Sequence, residues 1–567
     1  MARVVTDVAG MDKEFDYRVP DRLDGTVEVG NLVRVDLHGR RVGGWITALF
    51  PASGLEMPLL PLAKVRGWGP GADLIDLAGW AAWRWAGRRR TFLTAASPTQ
   101  AVTALPREAR ATPARPHRQT AAFSEEPGVQ VIRLPPAADP TSLVAATAQQ
   151  GPTLVVVPTA ARAAVLAGRL RRAGGGVALV PQEWAQARSG AAVVIGPRGA
   201  AWAPCPDLAA IVVLDAHDER LTQDGVPTWG AIPVAVERAR RAGVACLLVS
   251  SCPTPELLAF GPLVTIGRSE ERSGWGTVEV VDRRADDPRL GLYSDRLVGL
   301  VRSGGRVACV LNRTGRVRLL ACAACGDLAR CEACGAAVRQ REDGSLSCPR
   351  CGHTRPAVCM ACGSTRLKAL RVGISRARDD LERLSGRPVG EVASTTGELP
   401  PHDLLVGTEA LLHRLDPGWG AAAVAFLDFD QELLAGRVRA ASEALALLAH
   451  ASRLVRGRGG RILVQTRIPD HAVIQAARLG DPSVVAEADQ ELRQVLGFPP
   501  FAAIAVVHGE AAADYVAQLP AGVQVLGPDR DRWLVKAPDQ AALSEALAAV
   551  ERPPGGRVRV AVDPARI

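Results

Sequence analysis

Residues 322–363 read CAACGDLARCEACGAAVRQREDGSLSCPRCGHTRPAVCMACG, four Cys-x-x-Cys knuckles in close succession. Each knuckle presents two thiolates from one tight turn, and a structural zinc takes four soft ligands in a tetrahedron, so four knuckles provide for two Zn²⁺. Four disulfides would need an oxidising compartment, and nothing in the chain suggests one. Spacing alone leaves the pairing of knuckles open. Glu342-Asp343-Gly344, a hairpin-turn signal, lies between Cys331/Cys334 and Cys348/Cys351. The two inner knuckles can therefore close on one metal, leaving Cys322/Cys325 and Cys359/Cys362 to share the second. With cysteine at every ligand position, both metals read as structural. The formal charge of +9 counts cysteine as neutral; eight thiolates subtract eight and two Zn²⁺ restore four, leaving +5. Arg330, Arg339, Arg341, Arg350 and Arg355 are expected to help neutralise the thiolates.

A chain of 567 residues is long enough for three or four domains. No apolar run approaches the ~18 residues of a membrane span. The first residues, MARVVTDVAGMDKEFDY, lack an apolar signal core, so a cytoplasmic location is expected, with no membrane partner. Cys205, Cys246, Cys252 and Cys309 read as small core residues. The positive balance is compatible with a nucleic-acid partner. Lysine occurs only at Lys13, Lys64, Lys368 and Lys536, so any function that needs a lysine has four candidates.

Residues 1–105 alternate like short strands, Val27–Val35 and Val42–Leu49, and then turn helical through Trp80, Trp83 and Trp85 to Arg88-Arg89-Arg90. That segment is expected to be a helix burying its aromatics, with a solvated basic end, rather than a base-stacking platform. Residues 106–128 have no periodicity and read as a linker. From Val129 the pattern is α/β, with strand-like runs at Thr153–Val157, Ala191–Ile195, Ala210–Leu214 and Val244–Val249 between helices such as Ala160–Arg172 and Ile232–Arg241. A second α/β region surrounds the knuckles, with runs at Arg306–Leu311, Asp403–Val406, Ala422–Leu427 and Arg461–Gln465. A small α+β tail ends in Arg557–Val562. Asp428 and Asp430 are expected at a strand end facing the sister lobe, and His413, His450 and His471 as scattered histidines without partners.

Several motifs together resemble the PriA family of replication-restart helicases, also called primosomal protein N-prime. The knuckles follow Leu311-Asn312-Arg313-Thr314-Gly315 directly. Val194-Ile195-Gly196-Pro197-Arg198 precedes Ala203-Pro204-Cys205-Pro206-Asp207-Leu208, and Ile468-Pro469-Asp470-His471 precedes Val473-Ile474-Gln475-Ala476-Ala477. Leu496-Gly497-Phe498-Pro499-Pro500-Phe501 and Val562-Asp563-Pro564 also match, as does Phe15-Asp16-Tyr17 with Pro20. The resemblance implies two RecA-like helicase lobes, at 129–265 and at 266–319 with 367–480. It further implies a two-zinc module at 320–366, an N-terminal β-rich domain for a DNA 3′ end at 1–105 and a C-terminal α+β domain at 481–567. Most members carry a winged helix where this chain has its linker. Carried over, the 3′-end pocket comprises Phe15, Asp16, Tyr17, Gly39 and Lys64: a ring on the terminal base, a carboxylate on the 3′-hydroxyl, a lysine on a phosphate. The resemblance also implies the nested zinc pairing.

The family's ATP motifs are eroded here. A nucleotide cradle needs a Gly-rich loop and a Lys at the start of a helix. At that place the chain reads RLPPAADPTSLVAATAQQ, without a Gly-Lys pair, and Asp139-Pro140 is expected to cap the helix 141–149 with a carboxylate. The acidic box reads Leu214-Asp215-Ala216-His217-Asp218, with Ala216 at an expected Glu. In the arginine motif, Arg453 and Arg456 survive without their Gln and glycines, and the Lys-Gly expected after Gly407-Thr408-Glu409 has become His413-Arg414. Thr254-Pro255 remains. The expectation is a pseudo-helicase with no catalytic residues and no ATP or Mg²⁺. Such a chain would bind stalled forks and single-stranded DNA at the nucleoid. Its expected partners are primosome proteins, single-stranded-DNA-binding protein, and the replicative helicase with its loader. The competing expectation is an ATP-dependent 3′→5′ DNA helicase with a divergent nucleotide site.

Overall fold

The computed structural model describes residues 1–51, 59–107, 112–113, 126–286, 291–311, 320–341, 343–369, 373–393, 395–529, 531–553 and 556–565. The motif residues 312–315, Glu342 of the turn signal and most of the linker fall outside the described residues.

Five strands, Ala2–Thr6, Glu14–Tyr17, Leu32–Leu37, Arg40–Leu49 and Lys64–Gly67, form an antiparallel sheet in the spatial order 14, 2, 40, 32, 64 by first residue. The strand expected from Val27 starts only at Leu32, because a turn in which Asn31 Oδ1 accepts from Glu28 N (3.0 Å) consumes the residues before it. Arg18 N donates to Leu60 O and Leu62 N to Arg18 O, both at 2.9 Å. Those bonds draw the two edges of the sheet together.

Helices Ala72–Arg84 and Arg89–Ala96 follow. Trp85 is 2% exposed, and an aromatic seam runs Trp80–Trp85–Phe92–Trp202–Trp229 with ring centroids 5.5–6.1 Å apart. The seam carries the core of the N-terminal region into the first lobe, as expected for Trp85 and the partly buried Trp80, whereas Trp83, expected in the same core, is exposed. The basic end differs from the solvated run expected. Arg89 pairs with Glu14 at 2.5 Å and Arg90 with Asp7 at 2.6 Å, tying the helices to the sheet.

The first lobe is a seven-stranded parallel sheet, ordered 263, 128, 245, 210, 153, 193, 177 by first residue. The second is a six-stranded parallel sheet ordered 277, 461, 423, 307, 404, 389. Ala210–Leu214 and Ala245–Ser250 are buried at every position, as strands covered by helices on both faces must be. One continuous core joins the N-terminal helices, one face of the first lobe and the C-terminal sheet (Ala503–His508, Gln524–Asp529, Arg532–Ala537, Arg559–Val562). Cys205, Cys246, Cys252 and Cys309 are buried, and burial pushes the Cys246 and Cys309 thiols up to about 12. Among the described residues, no helix is long and apolar enough to cross a membrane.

Candidate metal centre and nucleic-acid interface

The four knuckles fold alike. Gly326, Gly335, Gly352 and Gly363 each follow a knuckle's second cysteine, and each donates its N–H to the carbonyl of the first (2.9–3.0 Å). Their φ values of 71–80° lie in the left-handed region that a Cβ disfavours. The recurring Cys-x-x-Cys-Gly is a sequence signal that the cysteine spacing alone overlooks. The turn aims N–H groups at sulfur: those of Cys325 and Ala324 pull the Cys322 thiol down to about 6.

Cys322, Cys325, Cys359 and Cys362 converge in one group, and Cys331, Cys334, Cys348 and Cys351 in another, with all sulfurs of a group within 4.8 Å of one another. The nearest approaches are Cys322–Cys362 at 3.6 Å, Cys325–Cys359 and Cys331–Cys351 at 3.5 Å, and Cys334–Cys348 at 3.4 Å. A Zn–S bond of about 2.3 Å in a tetrahedron sets edges just under about 4 Å. The donor sets fit a four-thiolate metal, and the nested pairing is the one that forms. The arginines behave differently from expectation. Arg355 donates to the carbonyls of Pro356, Val358 and Arg330, and Arg350 to those of Cys334 and Ala435, so they brace the knuckle backbones instead of meeting the thiolates.

Arg350 also docks the module on the second lobe, together with the Ala337 N to Leu434 O bond (2.8 Å). Ala321, Leu328, Ala337 and Leu434 form a small apolar contact there. A Cβ on Gly436 would sit 2.2 Å from Pro349 Cγ, so the approach requires glycine. His471 is not a scattered residue: its Nδ1 accepts from Val473 N (3.2 Å) and caps the helix Ala472–Leu479. Burial and the nearby Arg350 hold it down to about 4, which keeps the ring neutral and able to accept.

The 3′-end residues are distributed over the closed N-terminal sheet. Tyr17 is 3% exposed, and its hydroxyl donates to Asp36 O (3.1 Å), which holds the His38-Gly39 turn against it. Phe15 is half-buried against the same small core of Val4, Val33, Val35, Ile46 and Leu62. Asp16 lies opposite Arg3 and takes a two-pronged bond from it at 2.9 and 3.2 Å. Lys64 is exposed on the strand that sheet closure brings alongside.

At the eroded nucleotide position, the loop between the strand Gly128–Arg133 and the helix Thr141–Thr147 has prolines at 135, 136 and 140, which lack an N–H. The N–H groups of Leu134, Ala137 and Ala138 are bound to the carbonyls of Ser250, Gly274 and Pro135. Asp139 Oδ1 accepts from Thr141 N and Oγ1 (3.0 and 2.5 Å), the expected cap on a helix two residues shorter than expected, and its carboxylate also pairs with Arg169 at 3.1 Å.

Asp215, buried at the end of Ala210–Leu214 with φ 51°, meets Arg162 at 2.8 Å and Arg453 of the second lobe at 2.5 and 3.2 Å. These guanidinium groups outweigh the cost of burial and hold its carboxyl well below the usual range. Arg453 Nε donates to Pro136 O at 3.0 Å. The cavity left among Pro135, Arg162, Asp215, Ser250 and Arg453 is about 20 Å³, enough for a water molecule. Ala216 points into the core, 4% exposed. Arg456 takes no part in this cleft; its guanidinium turns to Pro417 O.

Two further expectations are corrected. Asp430 accepts from Thr466 Oγ1 (2.5 Å) and Arg467 N, and Asp428 from Gln431 Nε2, so both carboxylates are engaged within the second lobe and not toward its sister. His413 and His450, remote in sequence, meet edge-on with ring centroids 4.7 Å apart. Nothing local in the sequence signals that meeting.

A family profile described as the 3′ DNA-binding domain (3′BD) of PriA matches residues 3–98. The probable replication restart protein PriA of Mycobacterium tuberculosis (strain CDC 1551 / Oshkosh) is 29% identical, over 97% of this chain and 90% of its own length. Over nearly its whole length the chain is similar to PriA proteins. The replication restart protein PriA of Thermotoga maritima is 28% identical over 62% of this chain and 52% of its own length. A structure of RecG bound to a three-way DNA junction superposes loosely, with a TM-score of 0.35 and 14% identity over 65% of this chain and 44% of that one. The matched residues 3–98 are the N-terminal sheet and its helices, beside the two parallel α/β lobes and the two four-cysteine groups.

Proposed function

We propose that this PriA-like chain is a replication-restart factor that binds stalled forks without a motor of its own. The observation that carries the reading is the arginine-filled cleft at Asp215. Where a nucleotide would need several hundred Å³, about 20 Å³ remains. The prolines and the committed N–H groups of Leu134, Ala137, Ala138 and Thr141 support the same reading, since they leave a phosphate few amides to meet. The fork is recognised through Phe15, Asp16, Tyr17, Gly39 and Lys64 and through basic surfaces of the lobes. Two structural Zn²⁺ hold a docking module from which primosome proteins, single-stranded-DNA-binding protein, and the replicative helicase with its loader are recruited.

Two assays on the zinc-loaded protein test this. With forked DNA, no ATP turnover above background is expected; turnover abolished by Asp215→Ala would overturn the motorless reading and favour the alternative of a helicase with a divergent nucleotide site. Forks whose leading strand ends in a 3′-hydroxyl should bind more tightly than those ending in a 3′-phosphate at every salt concentration. Phosphate contacts alone give salt dependence without end preference, so equal affinities would remove the 3′-end site.

A further inference from the structure

Three polar ties between the two lobes stand out among the described residues. Beside the covalent connection, Arg133 of the first lobe pairs with Glu271 at 2.6 Å. At the junction with the C-terminal domain, Glu256 of the first lobe takes Arg439 at 2.7 Å and Arg493 at 2.5 Å. In the cleft, Arg453 reaches from the helix Ala440–Leu454 to Asp215 and Pro136.

The third differs from the other two. Arg162 already neutralises Asp215 from within the first lobe, so Arg453 is not needed to pay for burying that carboxylate. All three of its nitrogens are nonetheless spent across the lobe boundary, on two carboxylate oxygens and one carbonyl. A two-pronged guanidinium–carboxylate bond is geometrically demanding and resists both rotation and sliding.

We propose that Arg453 is a latch: it occupies the cleft as an internal ligand of Asp215 and holds the two lobes in one closed arrangement, so that the DNA-facing surface is fixed. The latch concerns the same cleft as the proposed function and rests on the reading that no nucleotide enters it. A mobile motor needs lobes that open and close; here the ligand that closes them is part of the chain. Removing Arg453 leaves the Arg162–Asp215 pair intact, so the first lobe keeps its charge balance and only the cross-lobe tie is lost.

The test is hydrogen exchange on the full-length, zinc-loaded protein at neutral pH, with small-angle scattering on the same samples. In Arg453→Met, amides of 134–138 and 453–460 should exchange at least tenfold faster, the radius of gyration should rise, and fork affinity should fall severalfold. Arg453→Lys, which keeps the charge but loses the two-pronged bond, should fall between, and it carries the test if the methionine variant does not fold. Exchange and radius indistinguishable from the parent in the variant that folds would overturn the latch. ATP turnover read in parallel separates the two ideas. Turnover by the parent sinks the motorless reading whatever the exchange shows, whereas unchanged exchange without turnover sinks the latch alone.

Discussion

Glu256→Gln tests whether the junction of the two lobes with the C-terminal domain is electrostatic at heart. Glu256 Oε1 accepts from both Arg439 (2.7 Å) and Arg493 (2.5 Å); Arg493 is 1% exposed and Glu256 20%. Burial alone would raise the carboxyl, but the Arg439 and Arg493 charges outweigh it and hold the group at about 2, against an ordinary 4.5. At about 1.4 kcal/mol per tenfold, that difference amounts to about 3 kcal/mol. The sign follows from the lowered value: the contribution is complete above about 4.5, the unfolded carboxyl's range, and is lost as pH falls toward about 2. Glutamine keeps the shape and removes the charge, while Asp489 at 3.3 Å and Asp563 at 3.0 Å still face the two arginines. Because a multi-domain chain has no single unfolding free energy, the readout is local hydrogen exchange at 255–258 and 439–443. At pH 7 exchange should be about a hundredfold faster in the variant, and the gap should narrow below about pH 4.5 and close only as pH falls toward about 2. Equal rates at pH 7, or a gap that widens on acidification, would refute the reasoning.

Metal analysis should find two Zn²⁺ per chain, and Cys348→Ser should reduce this to one, with new protease cuts between 331 and 351. Among the described residues, the large apolar side chains of the core around that cluster are Leu320, Val338 and Leu346, with Leu367 partly buried against them, worth about 2 kcal/mol each against about 10–16 kcal/mol for a bound zinc. Protection that survives chelation would contradict this. Gly436→Val should undock the zinc module from the second lobe without metal loss, seen as faster exchange at 434–437 and 349–351 with zinc content unchanged. Trp202→Ala should lower the first lobe's melting transition by an amount equivalent to about 3–5 kcal/mol. Trp202→Phe should cost much less, because the buried indole N–H has no hydrogen-bond partner to lose.

Local chemistry decided what the sequence determined by itself. Two thiolates three residues apart converge whatever surrounds them, so the cysteine groups were legible, while their nesting rested on the turn signal between the inner knuckles and on the family resemblance; the missing Gly-Lys pair argued only against a P-loop cradle. Continuous apolar runs placed eight strands of the two parallel sheets to within a residue or two, while Gly128–Arg133, Val177–Leu179, Leu263–Thr265, Thr277–Asp282 and Val389–Val392 went unnamed, because short or edge strands carry a weaker apolar run. Contacts between residues remote in sequence had no such signature. Asp215 and Arg453 stand 238 positions apart, and their union across the cleft is a consequence of how the lobes close. Arg3 claiming Asp16, Arg90 meeting Asp7 and His413 touching His450 likewise followed from packing. The chain's residue order fixed which chemistry was possible at each point; the tertiary structure chose the partners, because a charge buried during folding takes whichever opposite charge the surrounding elements bring within reach.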